Sequence, residues 1–199
     1  MQSNNLPNLC FRNVGWALTH SPSPENVQSW FMLNMFLYFI SSLLKYKFHN
    51  VTNISTEKLN DLISEGQIKD KKLVIVDARS EDEFNVSSLD HAIRINFPLE
   101  QGSVKRFVDQ NVTENTENIV CYCSLGYRSS IVAQHIQSYL EEANNSRVNV
   151  YNLEGSIFKW LNEERTVTNK QGDIVSYAHP FSIKWGILGL SISKWRWSP

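Results

Sequence analysis

In "CYCSLGYRSS", residues 121–130, two of the chain's three cysteines precede a glycine and an arginine. In an open parallel sheet, functional loops lie beyond the C-terminal ends of the strands. A strand ending at Cys123 and a helix starting near Arg128 would put this loop in such a place. Free N–H groups of the first helical turn then point back at the loop. With the helix dipole and the Arg128 cation, they would lower the Cys123 thiol pKa and favour the thiolate. Gly126 lets the backbone turn inward, which residues with a Cβ resist. The chemistry is that of a nucleophile at the base of an anion-binding cradle. The other reading is a structural cysteine at a strand end, since free cysteine is commonly buried and inert. Cys121, two residues earlier, points the same way but deeper and reads as core.

The elements that must position this loop are visible on both sides of it. "NVTNIS" is a short strand, and Ser55 can cap a helix over "TEKLNDLISEG", with Glu57 in its first turn and Gly66 as its stop. "KLVIVDAR" is a continuous apolar run, the mark of a strand buried on both faces. "SEDEFNVSS" reads as a brief acidic helix whose Glu81–Glu83 segment is a solvated face. "AIRINFP" is a strand ended by Pro98, and "ENIVCYC" the next buried strand. In the helix "RSSIVAQHIQSYLEEA", Val132, Ile136, Tyr139 and Ala143 fall on one face. "RVNVYNL" is a further strand and "GSIFKWLNEE" a final helix. Strands alternating with helices over about 115 residues predict an α/β domain with a largely parallel sheet.

The domain spans residues 50–165, between an N-terminal extension (1–49) and an aromatic C-terminal tail (166–199). The net charge of −1 gives no bulk electrostatic case for nucleic acid. It hides a division: Lys plus Arg against Asp plus Glu is 3 to 1 over residues 1–50, 12 to 18 over 51–165, and 4 to 1 over 166–199. Trp16, Trp30, Trp185, Trp195 and Trp197 also lie in the two ends, a pattern compatible with ends that touch a membrane or each other. Residues 26–44 carry no charge and approach the about 20 apolar residues that cross a hydrocarbon core. Spanning or inserting is one reading of them; a hydrophobic helix packed on the domain is the other. If the segment spans, Lys45 and Lys47 leave the domain on the cytosolic side. The tail stretch "YAHPFSIKWGILGLSISKWRW" is too broken for a span, and docking on the domain or resting at an interface is preferred.

Cys121 and Cys123 are too close in sequence for an unstrained bridge, and Cys10 is remote, so all three read as thiols. This favours a reducing intracellular compartment, the cytoplasm or the cytosolic face of a membrane, with a mitochondrial location left open. No Cys/His spacing for zinc occurs, and no cofactor is called for. Asn-x-Ser/Thr sequons such as those at Asn50 and Asn53 arise easily by chance in an Asn-rich chain.

Three segments carry a resemblance. "VDARSEDEFNVSSLDHA" resembles the Asp-x-Arg-x-x-x-Glu-Phe/Tyr segment of the rhodanese family. "VCYCSLGYRSS" is similar to that family's active-site loop, Cys-x-x-Gly-x-Arg-Ser, and "VYNLEGSIFKW" to its closing Leu-x-Gly-Gly-x-x-x-Trp element. The resemblance implies a rhodanese-like α/β fold, a five-stranded parallel sheet flanked by helices. It also implies sulfur transfer through a cysteine persulfide. Carried over by position, Cys123 accepts the sulfur and Arg128 attracts an anionic donor. Amides of Ser124, Leu125, Gly126, Tyr127 and Ser129 hold the terminal sulfur, and Asp77 and Arg79 buttress the site from a neighbouring strand end. Implied partners are a small sulfur donor such as thiosulfate and a thiol or cyanide acceptor. The chain departs from the family at Ser88 (often His), His91 (often Gly) and Ser156 (the second Gly of the closing element). The first two departures should retune a turn rather than remove chemistry. Relatives with phosphatase or arsenate reductase activity carry five residues between Cys and Arg, a ring wide enough for a tetrahedral oxyanion. Cys123 and Arg128 have four between them, which suits one sulfur atom. The rival expectations are a non-enzymatic rhodanese-like module tethered by residues 26–44, and a persulfide carrier or redox sensor.

Overall fold

The computed structural model describes residues 24–145, 147–182 and 194–197, with side chains from residue 32 onward. Its elements are α1 (Pro24–Lys47), β1 (Thr52–Ile54), α2 (Thr56–Ser64), β2 (Leu73–Asp77), α3 (Glu81–Val86), β3 (Ile93–Arg94), α4 (Ser103–Asn111), β4 (Asn118–Tyr122), α5 (Tyr127–Glu142), β5 (Asn149–Leu153), α6 (Ser156–Asn162), β6 (Val167–Thr168) and β7 (Ile174–Val175). The chain divides into two compact units, residues 1–32 and 33–199. Of the first, the helical backbone from Pro24 is described; everything below concerns the second.

Five strands form one parallel sheet in the order β1-β5-β4-β2-β3. Successive side chains of a strand point to opposite faces, so the apolar run of β2 feeds two cores. Leu73 and Ile75 join Val120, Tyr122 and Leu153 beneath Leu59, Leu62, Ile157 and Leu161 of α2 and α6. Val74 and Val76 join Ile119 and Cys121 beneath Phe107, Val132, Ile136 and Leu140 of α4 and α5. Burial on both faces explains why β2 is apolar without alternation. The register aligns Asp77 with Tyr122, and Cys121 with Asn152. The chain runs outward from β2 to β3 and then returns to β4 on the other side of β2. That reversal puts the crevice of an open α/β sheet between the ends of β2 and β4.

Several expectations need adjustment. The buried stripe of α5 is Val132, Ala133, Ile136 and Leu140; Tyr139 lies at its margin and Ala143 is exposed. The predicted strand over residues 92–98 pairs only at Ile93 and Arg94. α4 had no counterpart in the sequence reading, because its short, mostly polar span buries only Phe107 and Val108. The "KQGDIV" turn is part of an antiparallel β6–β7 hairpin. Ser88 fastens this hairpin to the domain by exchanging backbone hydrogen bonds with Thr168, both 2.8 Å. His91, one of the two departures expected to retune the turn, adopts φ +58°. The described part of the tail lies on the domain: Ala178 N donates to Lys194 O, and Arg196 N to Ala178 O.

Among the described residues, no helix is long and apolar enough to cross a membrane. From Leu33 onward α1 packs on the domain, with Leu37 3% exposed in the first core and Leu44 against the second. Lys45 adds an ion pair to Glu154 at 2.6 Å.

Candidate active site

Strand β4 delivers Cys123 to the end of the sheet, and α5 begins four residues later at Tyr127. Between them Gly126 takes φ +112°, a conformation that side chains with a Cβ rarely adopt. A Cβ there would also come 3.2 Å from the Leu44 side chain of α1. The turn aims the Gly126 N–H at Cys123 Sγ, 3.1 Å away, and the Ser129 hydroxyl reaches the same sulfur at 3.5 Å. Burial pushes the Cys123 thiol up. The Arg128 charge and hydrogen bonds from Ser129 and Gly126 outweigh it, and hold the thiol below its ordinary value. Cys121 is its opposite. Burial, then the neighbouring Cys123, pushes its thiol far up, and it packs as a small apolar group in the second core. The two cysteines therefore sit in opposite electrostatic surroundings.

Ser129 has one proton for two acceptors. Its hydroxyl lies 2.7 Å from Asn152 Oδ1 and 3.5 Å from the sulfur, and Asn152 is itself held by Asn53 at 2.8 Å. An uncharged thiol leaves that proton on Asn152, whereas a thiolate competes for it by a charge-assisted bond. The loop carbonyls are held from the opposite direction by the first turn of α6. Ile157 N donates to Cys123 O at 3.2 Å and Phe158 N to Ser124 O at 3.3 Å. Ser156 completes this grip, since its hydroxyl accepts the Cys123 N–H at 3.1 Å. It does so at φ +52°, where a glycine would be relaxed.

Arg128 does not stand free above the thiol. Its Nη1 donates to Glu83 Oε2 at 2.7 Å and its Nη2 to Glu83 Oε1 at 2.8 Å. The Ser124 hydroxyl closes the triangle, accepting from Arg128 Nη2 at 2.9 Å and donating to Glu83 Oε1 at 2.8 Å. Burial raises the Glu83 carboxyl, but its hydrogen bond and charge contact with Arg128, aided by Arg79, bring it to about 2. This corrects the reading of Glu81–Glu83 as a solvated face: Glu81 and Asp82 are exposed, whereas Glu83 is buried. A signal was available. Ser80 and Glu83 have capping-box spacing, and both reciprocal bonds form, which pulls the carboxylate back over the helix start.

Asp77 and Arg79, both fully buried, make a pair at 2.7 Å. Arg79 also donates to Ser87 O at 2.5 Å, and the Tyr122 hydroxyl donates to Asp77 Oδ2 at 2.5 Å while accepting the Leu89 N–H at 3.0 Å. This network ties the ends of β2 and β4 to both ends of α3, the helix that carries Glu83. Asp77 and Arg79 thus act on the thiol through Glu83 and Arg128. Leu125 and Tyr127 line a cavity above the loop with part of α1 and Phe181, whose ring lies 4.8 Å from the Arg128 guanidinium. Sequence reasoning missed Glu83, Ser156, Tyr122, Asn152 and Phe181. Glu83 and Ser156 lie in motif segments; Tyr122, Asn152 and Phe181 act through tertiary neighbours 23 or more residues away.

The family model of the rhodanese-like domain matches residues 55–163. Among solved structures, a thiosulfate sulfurtransferase from Pseudomonas aeruginosa is similar at 20% identity and a TM-score of 0.50, over 69% of this chain and 23% of that one. An As-Sb reductase from Leishmania major is similar at 16% identity and a TM-score of 0.52, over 63% of this chain and 92% of that one. At these identities the likeness is one of fold. No curated protein sequence matches the chain.

Proposed function

The chain belongs to the rhodanese-like domain family, and on that premise we propose that it is a sulfurtransferase working through a persulfide on Cys123. The observation that carries this reading is the pairing of a buried thiol with the Gly126 N–H, the Ser129 hydroxyl and the Arg128 charge. The Cys123 thiolate attacks the outer sulfur of a donor such as thiosulfate. The donor's S–S bond breaks, sulfite leaves with the electron pair, and Cys123 keeps the sulfur as a persulfide. A nucleophilic acceptor, a thiol or cyanide, then removes that sulfur and restores the thiolate. Two half-reactions through a covalent enzyme give ping-pong kinetics. Four residues between Cys123 and Arg128 favour a single sulfur over a tetrahedral oxyanion, which argues against phosphatase chemistry.

Treatment with thiosulfate followed by mass spectrometry tests the reading. A gain of one sulfur atom on Cys123, absent in Cys123→Ser, supports it; no gain in the folded wild-type protein overturns it and leaves a non-enzymatic interaction module as the better account.

A further inference from the structure

The loop opens into a cavity of about 330 Å³. Its walls are apolar: Ile40, Leu43 and Leu44 from α1, Leu125 and Tyr127 from the loop and the start of α5, and Phe181. Cys123, Ser124 and Arg128 complete the lining. Among the described residues that line it, Arg128 is the one that carries a charge, and both prongs of its fork are occupied by Glu83. Phe181 stacks on the guanidinium and the Ser124 hydroxyl is engaged with Glu83. The neighbouring Lys45 is paired with Glu154, and Lys47 lies against the rings of Phe48 and Tyr127.

A charge on the body of an acceptor, held against these apolar walls and away from Arg128, would lose hydration with nothing in the walls to replace it. An apolar body would gain by leaving water. We propose that the acceptor in the second half-reaction is a thiol on an uncharged, apolar body, and that the α1 residues Ile40, Leu43 and Leu44 select it. This rests on the sulfurtransferase reading above. In the step, the acceptor thiolate attacks the outer sulfur of the protonated Cys123 persulfide. A bond forms between the acceptor sulfur and that outer sulfur, and the bond from the outer sulfur to Cys123 Sγ breaks. Its electron pair returns to Cys123 as the thiolate, and the acceptor leaves as a hydropersulfide that keeps the proton. Sulfur moves with no net oxidation and no further reactant.

The test uses the full chain, loaded with thiosulfate and freed of donor, with persulfide loss followed by mass spectrometry. Ethanethiol, butanethiol and hexanethiol serve as acceptors beside 2-mercaptoethanesulfonate. The expected result is a rise in second-order rate of about fourfold for each added methylene, with the sulfonate slowest and 1-hexanol competing against hexanethiol. Leu43→Asp, at a half-exposed position, should flatten the alkane series. Equal rates along the series, or a sulfonate faster than hexanethiol, would overturn the proposal while leaving the persulfide chemistry standing. Failure of Cys123 to load at all would remove both.

Discussion

Arg128 and Glu83 form a closed fork, Nη1 to Oε2 at 2.7 Å and Nη2 to Oε1 at 2.8 Å, with the carboxylate 2% exposed. The cation that lowers the Cys123 thiol thus arrives with its own counter-ion. One consequence is mechanical, because the pair joins the start of α5 to the start of α3. Glu83→Gln leaves the buried guanidinium with a neutral partner, and breaking such a pair costs about 3 kcal/mol or more. Urea unfolding at neutral pH should show that loss with little change in the slope against denaturant.

The same carboxyl predicts an acid dependence. It titrates near 2 in the folded protein against 4.5 ordinarily. A depressed folded value means that its contribution is fully present above 4.5 and is lost as pH falls through 2. The contribution is on the order of 3 kcal/mol. Unfolding free energies measured from pH 6 down to pH 2 should fall more steeply for the wild type than for Glu83→Gln.

Cys123 should alkylate with iodoacetamide at a pH midpoint below that of free cysteine, because Arg128, Ser129 and Gly126 favour its thiolate. Arg128→Gln removes the charge and should move the midpoint upward, while Arg128→Lys should restore part of the shift. Cys121 should stay unmodified in the folded protein, since burial holds its thiol protonated. Equal labelling of both cysteines would contradict the separation drawn between them.

Cys121→Ser puts a hydroxyl among Val74, Val76 and Ile119. Without a partner this costs about 1–3 kcal/mol. Thermal unfolding should register the loss, and sulfur loading on Cys123 should persist at temperatures where the variant remains folded.

Ser156 combines a left-handed backbone, φ +52°, with a hydroxyl that accepts the Cys123 N–H. Ser156→Ala keeps the strain and loses the bond; Ser156→Gly loses the bond but relaxes the backbone. The glycine variant should therefore be the more stable of the two by about 1 kcal/mol, as read by chemical denaturation.

What could be read from the sequence follows from how local each signal is. The two-sided burial of β2 shows as an unbroken apolar run, and the reactive loop as one continuous string from Cys123 to Ser129. The capping Ser80 and its Glu83 were equally local, yet three adjacent acids looked like a solvated face. Only the fold brings Arg128 across to claim the third of them. Asn152 and Tyr122 carry no local mark, because their roles depend on the register that sets β4 beside β5 and β2. Residues 26–44 allowed two readings from composition. Leu37 in the first core and the Lys45–Glu154 pair place the second half of α1 on the domain.

The segment matched by pattern begins at residue 55, but the unit that folds begins earlier. Leu37 is as buried as the strand residues it joins, and Leu44 rests where Gly126 leaves room. A protein cut at residue 48 would retain every motif by which its relatives are recognised. It would also open the first core to water and strip one wall from above the thiol. Such a fragment would look complete in sequence while lacking part of its own interior.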